Sequence, residues 1–152
     1  DLVVAHTYLI ESLMISRPLR SYWIADTLAS LGWWSFIANK IGEAATHLTD
    51  ALALYRRMGA RQRIAWTLEG IAGVAAAQAQ ATSAARLWGA AEALRAAIGA
   101  PMWPVDRPEY ERRVAAARAE MMPDAFDAAW AAGRALTWEE AADEAVASVG
   151  AE

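Results

Sequence analysis

The sequence predicts an all-α protein built of antiparallel helix pairs, and three observations carry that prediction. The middle of the chain matches itself at a shift of 40 residues. Apolar residues recur at helical spacing, as in Leu48, Ala51, Leu52 and Tyr55, while nothing alternates with period two over any length. Glycines stand at the ends of the matched units: Gly59 and Gly99 sit where a left-handed helix cap is expected.

The self-match is specific in its details. Ile24, Ala25, Thr27 and Leu28 fall on Ile64, Ala65, Thr67 and Leu68. Ala44, Ala45, Ala51, Ala53 and Leu54 fall on Ala84, Ala85, Ala91, Ala93 and Leu94, and Gly59-Ala60 falls on Gly99-Ala100. Alanine matches carry little weight in an alanine-rich chain. The Leu, Ile, Thr and Gly matches carry more, and all lie in one register without a gap. An earlier half-unit also fits: Thr7, Leu9, Leu13 and Ile15 align with Thr46, Leu48, Leu52 and Leu54 at a shift of 39.

In chain order, a lone helix runs from about Leu2 to Arg17 and is stopped by Pro18. The first pair spans about Ser21 to Ala38 and Ile41 to Met58, the second about Arg61 to Gln78 and Thr82 to Ile98. After Gly99 the repeat stops in an irregular turn, Ala100-Pro101-Met102-Trp103-Pro104. A helix then starts near Asp106, with Pro108 in its first turn, and runs to about Met122. Another covers Pro123 to Arg134. Thr137 and Glu140 form a capping box that opens a last helix to about Val149. Residues 1–99 thus read as repeats (a half-unit at 2–18, units at 21–59 and 61–99) and 100–152 as a helical cap, because an array of repeats needs a closed end.

Composition narrows the function classes. At 152 residues and 57% hydrophobic, the chain can bury a core, and much of that fraction is helix-favouring alanine. A net charge of −4 argues against direct nucleic-acid contact. No cysteine is present, which excludes disulfides and thiolate metal sites and fits a cytoplasmic setting. The longest uncharged run, Gly70 to Ala85, is too short and too rich in Ala, Gly and Gln to span a membrane. No signal-peptide pattern opens the chain, and a start at Asp1 reads as a piece of a longer protein or a processed product.

Leu31-Gly32, Ala44, Leu48 and Ala51 resemble the tetratricopeptide signature; the next unit departs from it, with Ile71-Ala72, Ala84, Trp88 and Ala91. The stretch from Arg63 to Val146 is similar to the C-terminal end of large bacterial regulators. These join a signalling NTPase to tetratricopeptide-like repeats, often with a LuxR-type or winged-helix DNA-binding domain or a nucleotide cyclase. The residues carrying this resemblance are Ala65-Trp66-Thr67-Leu68-Glu69-Gly70-Ile71-Ala72, Ala85-Arg86-Leu87-Trp88-Gly89-Ala90-Ala91-Glu92, Glu109-Tyr110-Glu111-Arg112 and Trp130-Ala131-Ala132-Gly133-Arg134-Ala135-Leu136-Thr137. The resemblance implies a tetratricopeptide-like solenoid with a C-terminal cap. It also implies a role as the sensing or docking end of a signalling or transcription regulator. The rival reading is a purely structural or oligomerisation segment.

In such units the first helix lines the concave surface. The register then places Asp26, Ala29, Trp33, Phe36 and Ile37, followed by Trp66, Glu69, Gly73 and Ala76, on that surface. A helical wheel puts the first five on one face, with Leu28 and Leu31 opposite. Asp26, Trp33, Phe36, Ile37, Trp66 and Glu69 are therefore the candidate groove: an aromatic wall with two acids, suited to a peptide, a protein surface or an apolar ligand with a cationic end. The alternative is that neighbouring repeats or the cap cover Trp33 and Phe36.

Other constellations read as surface chemistry. Arg56, Arg57, Arg61 and Arg63 surround a helix–helix turn, either as an anion patch or as cations favoured at a helix C-terminus. His6 and His47 lack a histidine or cysteine at ligand spacing, and Asp50 beside His47 reads as an incidental pair. Glu139-Glu140 and Asp143-Glu144 are adjacent acids, which do not face each other on a helix. No phosphate loop, nucleophile elbow or Ser-His-Asp set is legible, so a non-catalytic protein without cofactor or metal is expected. The first helix carries Leu2, Val3, Leu9, Ile10, Leu13 and Met14, and self-association through that end is expected.

Overall fold

The computed structural model describes residues 2–16 and 21–149, apart from the side chains at 2, 3, 13, 15 and 16; Pro18, the expected stop of the first helix, and the apolar side chains of Leu2, Val3 and Leu13 lie outside the described residues. The described residues form eight helices and no strand. They are α1 (Leu2–Ser16), α2 (Ser21–Ile37), α3 (Ile41–Met58), α4 (Arg61–Ala77), α5 (Ala81–Ile98), α6 (Arg107–Ala119), α7 (Pro123–Arg134) and α8 (Trp138–Val149).

The 40-residue period is written in the backbone more fully than in the side chains. Gly59 (φ 62°) and Gly99 (φ 63°) adopt the left-handed conformation, as do Asn39 and Ala79 (φ 59° each). All four close a helix in the same way. The residue after each donates its N–H back to a helix carbonyl: Lys40 to Ser35, Ala60 to Tyr55, Gln80 to Ala75 and Ala100 to Arg95. Ala79 pays for its Cβ there, since left-handed backbone is cheap for Gly and Asn but not for Ala.

One expected boundary is wrong by a turn. The helix begun near Asp106 stops at Ala119, not Met122, because Pro123 starts α7 and holds Met122 in an extended conformation (φ −61°, ψ 134°). The capping box is present: Thr137 donates its N–H to Glu140 Oε2 (2.8 Å), and Glu140 N–H returns to Thr137 Oγ1 (3.2 Å).

Successive helices pack on one another from α1 to α5. Ala44, Ala51, Ala84 and Ala91 have no exposed surface and belong to the buried core. Every residue of α4 from Thr67 to Ala75 is buried, which makes it the central helix. The last three helices do more than close the end. At the α5–α7 crossing, a Cβ on Gly89 would strike the Trp130 carbonyl and one on Gly133 the Arg86 carbonyl, so these two helices touch backbone to backbone. α8 lies against α3, α4 and α5, burying Ala141, Ala142 and Ala145. Arg56–Asp143 (2.7 Å) and Arg86–Glu144 (2.5 Å) tie it to α3 and α5.

Candidate functional site

The site begins with two aromatic residues three apart on α2 meeting two glycines three apart on α4. Trp33 lies over Gly70 and Phe36 over Gly73: an added Cβ would stand 3.1 Å from the Trp33 ring and 2.9 Å from the Phe36 ring. Glycine is needed at these places for close approach. The Trp33 ring also stacks on Trp66 (centroids 5.7 Å apart, 26° between planes) and meets Phe36 edge-on at 6.2 Å. Trp88 of α5 is buried at the end of the row and takes the edge of Tyr110 at 6.3 Å.

Tyr110 belongs to α6, which crosses this aromatic wall. Arg113, one turn further along α6, places its guanidinium 4.6 Å from the Phe36 centroid and 5.5 Å from that of Trp33. Desolvation pulls the Arg113 pKa down, opposed by the charge and hydrogen bond of Glu109 on the same helix (2.8 Å). A cleft of about 290 Å³ remains between wall and helix. Trp33, Ile37, Trp66, Glu69 and Trp88 line one side; Met102, Val105, Asp106, Glu109, Tyr110 and Arg113 line the other. Ile37 is 59% exposed at its mouth. Trp33 Nε1 is buried without a hydrogen-bond partner among the described residues.

Five of the six expected groove residues thus meet here. Trp33, Ile37, Trp66 and Glu69 line the cleft, and Phe36 and Ile37 line an adjoining space with Arg112 and Arg113. Asp26 does not line either space. It accepts from Tyr55 Oη (2.5 Å) and from Arg63 Nη2 (3.1 Å).

Neither acid is the free carboxylate expected on the wall. Glu69 is buried, and Arg95 Nε and Nη2 donate to its two oxygens at 2.5 and 2.9 Å. Burial pushes the Glu69 carboxyl up, while the paired Arg95 pulls the other way. Arg95 also donates to the Ala100 carbonyl (3.2 Å), which fixes the start of the irregular turn. Tyr55 is likewise pushed up, first by burial and then by its bond to Asp26. Both charges are paired within this chain, and the cleft is faced by three tryptophans, Tyr110 and apolar side chains together with Asp106, Glu109 and Arg113.

Arg95, Trp88, Tyr110 and Arg113 were not singled out from the sequence. Trp88 is legible only in the second unit's departure from the tetratricopeptide pattern and within the Ala85–Glu92 stretch, and Tyr110 only within the Glu109–Arg112 stretch. Of the arginine cluster, Arg56 holds Asp143 on α8, and Arg63 holds Asp26 and lies 5.6 Å from the Trp66 centroid. Arg57 and Arg61 are exposed. His6 stacks on Trp34 at 3.9 Å.

Among the described residues, no helix is long and apolar enough to cross a membrane, and no group of three or more His, Cys, Asp or Glu side chains could hold a metal. Compared with protein-family models, curated proteins and solved structures, the chain matches none.

Proposed function

We propose that this chain is a tetratricopeptide-like helical repeat module. It serves as the sensing or docking end of a larger bacterial signalling or transcription regulator, and it binds a protein or peptide segment in the cleft along α2, α4 and α5. The observation that carries the reading is the unfilled aromatic cleft of about 290 Å³ beside an exposed Ile37. The cleft joins three tryptophans, Tyr110 and the exposed aliphatic side chains of Ile37 and Val105 in one opening, a lining suited to the apolar side chains of a peptide. With Glu69 held by Arg95 and Glu109 by Arg112 and Arg113, the cleft recognises its partner mainly by apolar and π contacts, and Asp106 adds a carboxylate to its lining.

A second reading, that the helices only brace the parent protein, draws support from α6 lying across the wall. Ile37→Glu separates the two, because it alters the cleft mouth and touches no buried contact. An array of amphipathic peptides, read first by intrinsic tryptophan fluorescence and then by calorimetry, is expected to yield a binder. That binder should weaken by about tenfold or more on Ile37→Glu at unchanged melting temperature. A binder indifferent to both Ile37→Glu and Trp66→Ala, or an array without binders, favours the structural reading.

A further inference from the structure

Apart from exposed Arg118, which holds Asp127 of α7 (2.6 Å) and lies over the Phe126 ring (4.6 Å), helix α6 meets the rest of the molecule along one stripe. Tyr110, Arg113, Val114 and Ala117 are its covered positions besides Glu109, and they follow the i, i+3, i+4, i+7 spacing of a helix seated in a groove. Only Ala117 is fully buried. The remainder of α6 is exposed, and irregular segments at 99–106 and 120–122 join it to α5 and α7. The anion nearest Arg113 is Glu109 of α6 itself, so the aromatic wall holds the guanidinium without an acid of its own. Space remains on both sides of the seated arginine: the cleft toward Trp66 and Trp88, and a second opening of about 470 Å³ bounded by Phe36, Ile37 and Arg112.

We propose that α6 is a stand-in for the partner. In this proposal the Trp33–Phe36 corner is a seat for arginine, Arg113 occupies it within the same chain, and the partner is an amphipathic helix with an aromatic residue and, three positions later, an arginine. The partner helix displaces α6 and takes both the seat and the space α6 leaves unfilled. The proposal rests on the cleft being the binding site and adds the class of ligand and the device that restrains its binding. Occupation from within lowers apparent affinity by the fraction of molecules whose seat is free.

The test uses a labelled peptide of residues 105–122 as the external ligand. Against the full chain its binding should be weak. Against the full chain carrying Tyr110→Ala and Arg113→Ala it should tighten by about tenfold or more, since the seat is vacated. The same peptide with its own arginine replaced by alanine should lose that gain. Native-state hydrogen exchange supplies a readout independent of the variants: α6 amides should exchange by local opening well before those of α2, α4 and α5. Equal peptide binding to both chains, or α6 amides as protected as those of α4, overturns the proposal. If array peptides still bind in an Ile37-dependent way, the binding role of the cleft survives and only the stand-in role of α6 is lost.

Discussion

Glu69→Ala is the substitution whose outcome the structure constrains most. It removes the one carboxylate bonded to Arg95 among the described residues, and leaves a guanidinium whose side chain is 12% exposed with the Ala100 carbonyl as its remaining acceptor among them. Breaking a buried pair from one side costs on the order of 3–5 kcal/mol. At about 2–4 °C per kcal/mol for a chain of this size, the melting temperature should fall by roughly 6–20 °C. Replacing both partners, as in Glu69→Leu with Arg95→Met, removes the orphaned charge and should recover most of that loss. The assay is urea unfolding followed by far-ultraviolet circular dichroism on Glu69→Ala and, for a double-mutant cycle, on Glu69→Leu, Arg95→Met and the two combined. If Glu69→Ala costs less than about 1 kcal/mol, the pair behaves like a surface ion pair and the closed site inferred around it is wrong.

Gly89→Ala should cost about 1–3 kcal/mol by forcing α5 and α7 apart, whereas Gly42→Ala, with nothing within 4 Å, should be neutral or gain up to about 1 kcal/mol; equal effects would refute the close crossing. Ala79→Gly should stabilise by about 0.5–1 kcal/mol by relieving the positive φ, and thermal melts showing a loss would place the helix end elsewhere. Glu140 is held below its ordinary value of 4.5 by the Thr137 backbone and side-chain bonds, so its share of stability is present above pH 4.5 and lost as pH falls through the depressed value. Glu140→Gln should therefore flatten the acid limb of stability against pH, and an unchanged limb would deny the capping box a role. With Tyr8 66%, Met14 72% and Trp23 59% exposed, the N-terminal end should drive association at high micromolar concentration, and a monomeric mass by light scattering would rule that out.

What the sequence disclosed about the fold depended on how local each signal is. Gly59, Gly99, Pro108 and the Thr137–Glu140 box act within one turn of themselves, and the helix ends fall where those residues put them. Asn39 is a residue tolerant of left-handed backbone and could have been read the same way. Ala79 could not, because there the conformation comes from the packing of two helices and not from the residue. The overlong expectation for α6 has the same origin in reverse: Pro123 starts the next helix, and its restriction on Met122 also reaches back into the segment expected to be helical.

The aromatic face was legible for a geometric reason and the charge balance was not. Residues three and four apart on a helix share a face whatever surrounds them, so Trp33, Phe36 and Ile37 had to point together. The partners of Asp26 and Glu69 come from other helices. Yet the repeat offers a route to them. Tyr55 and Arg95 are the same position of the 40-residue unit, and each bonds an acid on the first helix of its own pair. The two acids sit one turn apart in that register, since Glu69 corresponds to Ala29 and Asp26 to Trp66. Each unit thus bonds its first-helix acid from one place on its second helix, although the residues at that place are chemically unlike and Arg63 supplies the countercharge in the first unit. A phenol serves where Arg63 also reaches the carboxylate, and a guanidinium serves where no second cation does. A self-match that scores residue identity overlooks this correspondence, because the unit preserves the bond and not the residue. The same neutralisation leaves Trp33, Phe36 and Trp66 as the wall against which Arg113 is seated.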